Sequence, residues 1–182
     1  PKRRPLQPLF RGNKGMIWET PRLYLRELTE ADLPQLLEMM NGQRNFYERQ
    51  FSQAELQNWL TRQQQRYRQN FGIWGVCRKT DDVLIGQAGL TLQRFGRRML
   101  WEIGYGITPS QRKNGYAKEA AAACVQFAFS VRKEPVVYAA IASDNYPSLS
   151  VAKAIGMAQE AETLDHMGKS YLLFSIHRSK SI

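Results

Sequence analysis

The chain has 182 residues, 43% of them hydrophobic and 11% aromatic, enough for one domain with a sizeable core and too apolar for a disordered chain. No apolar run approaches the roughly 20 residues of a membrane span, and the N-terminal segment lacks the apolar stretch of a secretory leader, so neither is expected. The net charge is +10, and half of that excess lies in residues 1–15, "PKRRPLQPLFRGNKG", which carry no acid and cannot build a core.

Residues 1–15 are therefore expected to form a basic, flexible extension, either a solvated tail or an arm that touches RNA. Residues 16–182 are expected to form a single domain, as monomer or homodimer. Cys77 and Cys124 each lie in an apolar-patterned segment, with no CxxC and no His/Cys cluster nearby. They read as buried free thiols, which suits a cytoplasmic protein that binds no metal.

The elements follow in chain order. "RLYLREL" alternates apolar and charged residues as a half-buried strand does, slipping out of phase at Leu28. In "TEADLPQLLEMM", Thr29 with Asp32 three residues on resembles a capping box. "SQAELQNWLTRQQQRYRQN" predicts a second helix: Ser52 caps, Glu55 holds the box position, and Leu56, Trp59, Leu60 and Tyr67 share one face. The period then changes. "GIWGVCRK", "VLIGQAGLTLQ" and "RMLWEIGYGI" read as three strands linked by the turns "TDD" and "RFGR", an antiparallel meander. A helix is predicted from Tyr116 to Val131, with Ala117, Ala120, Ala121, Cys124 and Ala128 forming a flat small-residue face. "PVVYAAI" is a buried-type strand, "NYPSLSVAKAIGM" a short helix with Gly156 at its C′ position, and "GKSYLLFSIH" a final strand. The expected fold is α/β (α+β), a mixed central sheet of six to seven strands with helices on both faces.

"QRKNGYAKEA", residues 111–120, joins a strand to a helix through Gly115 and Ala117, with Arg112 and Lys113 just before them. A helix start offers unpaired N–H groups and partial positive charge, and small residues admit a ligand to the backbone. Together these suit phosphate or pyrophosphate. GxxxxGK[ST] is absent, and so is GxGxxG, so neither a P-loop nor a dinucleotide fingerprint is present. An ordinary strand-to-helix turn remains the alternative.

Arg112-x-x-Gly115-x-Ala117 resembles the Q/R-x-x-G-x-G/A pyrophosphate-binding signature of the GCN5-related N-acetyltransferase (GNAT) superfamily. Three further segments match in order. "DNYPSLSVAKAIGM" is similar to that family's N-x-x-S-x7-G-[FM] stretch, with Asn145, Ser148, Gly156 and Met157 in register. "ETPRLYLRELTEADL" and "WEIGYGITP" resemble the branch that includes ribosomal-protein N-terminal (alanine/serine) acetyltransferases. One departure is Lys113, where many relatives have glycine.

The resemblance implies acetyl-CoA as co-substrate and an amine as acceptor, with no metal. A ribosomal or other protein N-terminus leads, ahead of a small amine such as a polyamine or aminoglycoside-like drug. A non-catalytic RNA- or ribosome-binding module is the alternative from another class. The resemblance also implies that backbone N–H groups of Lys113, Asn114, Gly115, Tyr116 and Ala117 hold the pyrophosphate, helped by Arg112. The strand end at Gly106–Ile107 would pair with the pantetheine arm, an N–H near Tyr105 would polarise the thioester carbonyl, and Asn145 would bond pantetheine amides. Glu102, among Leu100, Trp101 and Ile103, is the candidate base, since burial raises a carboxyl pKa. Pairing with Arg97 or Arg98 is its structural alternative. Ser148 is the candidate proton donor to the CoA sulfur, with helix capping as its alternative. Tyr146, Tyr171, His166 beside Asp165, and His177 are weaker candidates for proton transfer.

Overall fold

The computed structural model describes residues 15–42, 49–166 and 169–179. The basic segment expected to be flexible lies, up to residue 14, outside the described residues. The elements are β1 (Met16–Glu19), β2 (Leu23–Arg26), α1 (Leu33–Asn41), α2 (Gln53–Tyr67), β3 (Gly72–Arg78), β4 (Leu84–Phe95), β5 (Arg98–Ile107), α3 (Tyr116–Ser130), β6 (Val136–Ala142), α4 (Tyr146–Ala154), β7 (Ala158–His166) and β8 (Lys169–His177). They build one eight-stranded sheet in the order β1-β2-β3-β4-β5-β6-β8-β7. That is more than the six to seven strands expected. The strand missed is β1, four residues long and next in sequence to the basic segment, too short to declare a period.

Local chemistry sets the element ends. Ser52 Oγ accepts the Glu55 N–H at 3.2 Å while Glu55 Oε2 accepts the Ser52 N–H at 2.8 Å, the reciprocal box that starts α2. The Thr29–Asp32 box expected from the sequence is present. Asp32 Oδ2 accepts the Thr29 N–H at 2.8 Å, but a short 3-10 turn over Glu30–Asp32 intervenes before α1, and Arg26 grips Asp32 through both guanidinium ends. Helix α4 stops at Gly156, whose φ of +89° suits glycine as the residue after a helix end.

Helices cover both faces. Leu36 and Met40 of α1 and Leu56, Trp59 and Leu60 of α2 pack with Tyr24, Cys77 and Leu84 on one side. The small face of α3, with Ala120, Ala121, Cys124 and Ala128, lies on Trp74, Ile85, Ala88, Leu90 and Ile103 on the other. Cys77 and Cys124 are free and buried, and burial pushes both thiols up.

Strands β5 and β6 are parallel, and they register at a single pair, Glu102 with Tyr138. Beyond that pair β5 runs on to Ile107 and β6 to Ala142 without pairing. The sheet therefore splays open toward the C-terminal ends of its two central strands, the place where open α/β sheets take ligands.

Candidate active site

The splay exposes backbone on β5. Thr108 donates its N–H back to Ile85 on β4 at 2.9 Å. Amide directions alternate along a strand, so Tyr105 and Ile107 turn their N–H and C=O groups away from β4, into the gap. On the far side of the gap the Ala140 N–H meets Glu102 Oε1 at 3.2 Å. A side chain from β5 thus takes the backbone donor that a closed sheet would give to a main-chain carbonyl.

A cavity of about 480 Å³ opens at this point. Glu102, Gly104, Tyr105, Gly106, Asn145, Ser148 and Tyr171 line it, with Trp59, Gln63 and Arg66 from α2 and Gln87 and Thr91 from β4. Gly104 faces open space: a Cβ there would meet nothing within 4 Å. Gly89, its neighbour on β4, is the opposite case, because a Cβ would lie 2.1 Å from the Gly72 carbonyl oxygen. Gly104 is thus cavity floor and Gly89 is packing.

Glu102 looks onto the cavity, and burial pushes its pKa up to about 7 against the opposing effect of the Ala140 hydrogen bond. It does not pair with Arg98, whose guanidinium reaches the Tyr138 hydroxyl at 3.4 Å instead. Ser148 and Asn145 stand together at the start of α4. Asn145 is the cap: its Oδ1 accepts the Ser148 N–H at 3.3 Å. Tyr105 Oη donates to the Ser148 carbonyl at 2.9 Å, tying α4 to β5, and burial raises the pKa of that phenol. Tyr171 lies on the cavity wall, while Tyr146 is 74% exposed and outside the lining. His177 is exposed at the far end of β8, opposite Val136. The side chains of Asp165 and His166 lie outside the described residues.

Past the end of β5 a 3-10 turn over Pro109–Gln111 leads to the anion-type loop. Lys113 and Gly115 have φ of +64° and +76°, and Gly115 caps α3. The first intrahelical bond runs from the Glu119 N–H to the Gly115 carbonyl at 3.1 Å, so the preceding N–H groups, through Lys118, have no partner within the helix. Lys113, Asn114 and Gly115 are exposed. Arg112 Nε donates to the Ile107 carbonyl at 3.0 Å, which folds the loop back over the end of β5.

Bracing for this loop comes from parts of the sequence that the motif does not include. Arg22 NH1 donates to the Asn114 carbonyl at 2.9 Å, and Arg22 Nε meets Glu119 Oε2 at 2.7 Å. Thr20 Oγ1 and the Arg22 N–H both donate to Glu119 Oε1. The Arg22 guanidinium also lies over the Tyr116 ring, 4.7 Å from its centre. Arg78 holds Gln111 Oε1 at 2.6 Å. Sequence spacing cannot reveal these partners, since Arg22 and Glu119 are 97 positions apart.

A helix start whose first N–H groups have no partner within the helix, an unpaired strand edge and a cavity thus meet around the end of β5. Residues 22–158 match the family model for the acetyltransferase (GNAT) domain. The chain belongs to the GNAT acetyltransferase family. Among curated relatives of this GNAT chain, YkkB of Bacillus subtilis is 34% identical over 100 residues, 55% of this chain and 57% of that protein. The aligned part thus spans little more than half of YkkB. The Bacillus subtilis protein YoaA, named as an N-acetyltransferase, is 29% identical over 83% of this chain and 88% of its own. A putative GNAT-family acetyltransferase from Bordetella pertussis has the same fold, with a TM-score of 0.77 at 21% identity over 87% of this chain and 97% of that one. Two Vibrio cholerae structures also share the GNAT fold: a putative ribosomal-protein-serine acetyltransferase (TM-score 0.72, 22% identity, 88% and 96% covered), and a spermidine N-acetyltransferase in complex with CoA and spermine (TM-score 0.71, 18% identity, 87% and 96% covered). The described residues contain no group of side chains suited to a metal ion and no helix long and apolar enough to cross a membrane.

Proposed function

We propose that this chain is an acetyl-CoA-dependent N-acetyltransferase acting on a primary amine, with a protein or peptide N-terminus as acceptor. The observation that carries this reading is the continuity of three features: the loop at Lys113–Ala117, the unpaired edge of β5, and the cavity that holds Glu102. A diphosphate fits the first, an amide arm fits the second as an added strand, and a reacting amine fits the third.

Acetyl-CoA, when bound, supplies an activated acyl carbon and a thiol leaving group. The loop N–H groups, with Arg112 and Lys113, hold the diphosphate. The Tyr105 N–H in the gap hydrogen-bonds the thioester carbonyl. Glu102, with its pKa near neutrality, accepts a proton from the acceptor ammonium, directly or through one water. The neutral nitrogen forms the new C–N bond as the C–S bond breaks; Ser148 hands its hydroxyl proton to the departing sulfur and is reprotonated, through water, by the second proton that the nitrogen loses on becoming an amide. An α-amine has a reference pKa of about 7.7–8.0, against about 10.4 for lysine. A base of pKa about 7 is therefore better matched to an N-terminus than to a side-chain amine.

Thermal unfolding with and without acetyl-CoA tests the reading. At about 100 times Kd the gain is roughly 2.7 kcal/mol, which at roughly 2–4 °C per kcal/mol raises the midpoint by about 5–10 °C. Gly115→Asp puts a charge and a Cβ at the diphosphate and should abolish the rise. No rise in the wild-type protein overturns the enzyme reading in favour of a binding module. That module would instead lose RNA affinity on deletion of residues 1–15, with a steep salt dependence.

A further inference from the structure

Gln87 is a buried polar residue that the mechanism above does not use. It sits on β4, level with Gly106 of β5 and Gly75 of β3, so glycines flank it on both sides along its row. It is 4% exposed and lines the cavity, and its Nε2 has no hydrogen-bond partner among the described residues. A buried amide donor left in that state costs on the order of 1–3 kcal/mol, and native proteins retain few of them. Gln63, across the cavity on α2, is different: its Oε1 is already spent on the Ile73 N–H at 2.9 Å.

The cavity also carries a charge pattern. Among the described residues that line it, only Glu102 and Arg66 are charged. One carboxylate and one guanidinium suit an acceptor with a single amine and a group that accepts hydrogen bonds. They do not suit a chain of several ammonium groups, which would meet Arg66 as a repulsive charge and leave the Gln87 donor unsatisfied. Glu102 leans toward Ala140 on the β6 side of β5, while Gln87 reaches in from β4, level with Gly106, so the two polar groups face the cavity from opposite sides of the β5 glycines. An aminoacyl group that lies across Gly104 and Gly106, with its amine toward Glu102, turns its carbonyl toward the Gln87 side.

We propose that Gln87 is a specificity-determining residue whose amide donates to the carbonyl next to the acceptor amine, so that the acceptor is an α-aminoacyl group. This deepens the acetyltransferase reading and rests on it. A peptide N-terminus and a free amino acid share this chemistry. A polyamine lacks it, having no carbonyl to accept the bond. A site built around a hydrogen bond discriminates strongly against a substrate that cannot make it.

The test compares kcat/KM for a short peptide with a free alanine or serine N-terminus against the same peptide with its first carbonyl replaced by methylene. Free alanine and spermidine serve as further acceptors. The wild-type protein should favour the carbonyl-bearing peptide, and in Gln87→Met that preference should shrink by roughly tenfold to a hundredfold. Gln87→Glu, which keeps the size but loses the donor, should shrink it as well and shift preference toward spermidine. Turnover of free alanine as well as peptide supports the shared chemistry, and turnover of peptide alone narrows it to N-termini. A preference that survives both substitutions overturns the proposal. So does an equal rise in KM for acetyl-CoA with every acceptor, which would make Gln87 a donor-side residue. Turnover of spermidine alone, or acetyl-CoA binding with no peptide or amino acid acetylated, also overturns it and leaves the acetyl-CoA reading intact. An acetyl-CoA thermal shift as large in Gln87→Met as in the wild type confirms that the variant is folded.

Discussion

Arg22 Nε and Glu119 Oε2 stand 2.7 Å apart, and this pair fastens the turn before β2 to the first turn of α3. The same guanidinium carries the Asn114 carbonyl. Burial alone would raise the Glu119 pKa, but hydrogen bonds from Thr20 and Arg22 outweigh it and hold the carboxyl below the usual range. As a surface-facing pair it adds little to global stability. Its effect is on the shape of the loop.

Arg22→Ala and Glu119→Gln should therefore each raise KM for acetyl-CoA by roughly tenfold, with kcat changed less and the thermal midpoint moved by only a few degrees. Steady-state kinetics at saturating acceptor would check this. The double variant should lose little more than either single one, because both break the same brace. Glu119 has a depressed pKa, so the brace persists at any pH above the ordinary carboxyl range and fails only on acidification through the folded value. Additive losses in the double variant would mean that the two residues act separately.

Glu102 couples rate and stability with opposite signs. Its folded pKa of about 7 exceeds the ordinary carboxyl value. The folded protein thus binds the extra proton between those values, and stability falls as pH rises through 7. Activity should rise over the same interval as the base form appears. Glu102→Gln should lower turnover more at pH 7 than at pH 9, where the acceptor amine is already neutral. It should also raise stability at pH 8 by up to about 3 kcal/mol, part of which the open cavity screens, and change it little at pH 4. Equal loss of rate at pH 7 and pH 9 would remove the base role.

Two glycines on one face of the meander should fail in different ways. Gly104→Ala adds a methyl to open space, so the fold should hold its midpoint within a few degrees while kcat/KM falls about tenfold or more, as the methyl enters the cavity. Gly89→Ala sets a Cβ against the Gly72 carbonyl and should destabilise by roughly 1–3 kcal/mol or fail to fold. Thermal melts beside initial rates separate the two.

Lys113 holds a left-handed backbone at φ +64° without being glycine, a conformation that costs an L-residue roughly 1–2 kcal/mol. Lys113→Gly should stabilise the protein by up to about 1 kcal/mol, since part of the relief is lost to glycine's chain entropy. It should also weaken acetyl-CoA binding severalfold at low salt, where a loop cation counts most. Calorimetry and titration at two salt concentrations would check both.

Much of the fold was legible because its elements announce themselves locally. The Ser52 box, the alanine face of α3 and the three-strand meander each depend on near neighbours. Glu102 was legible too, as one carboxylate within an apolar strand. The four-residue β1 was not, being too short to declare a period. The brace at Arg22 and the wall residues Gln63, Arg66 and Gln87 were hidden for a different reason. Each earns its place from a partner on another element, and Gln87 looks like any strand glutamine until Gly75 and Gly106 are seen beside it.

The single register pair between β5 and β6 makes the sheet two panels, five strands and three, that share a narrow seam. Helix α3 backs this seam, its side chains reaching both β5 and β6. A molecule that fills the gap works as a suture. Amides along β6, and along the edge of β5 from Tyr105 to Ile107, should then exchange with solvent together and slow together once it is bound. Under tension or denaturant the panels would part along this line before either one frays.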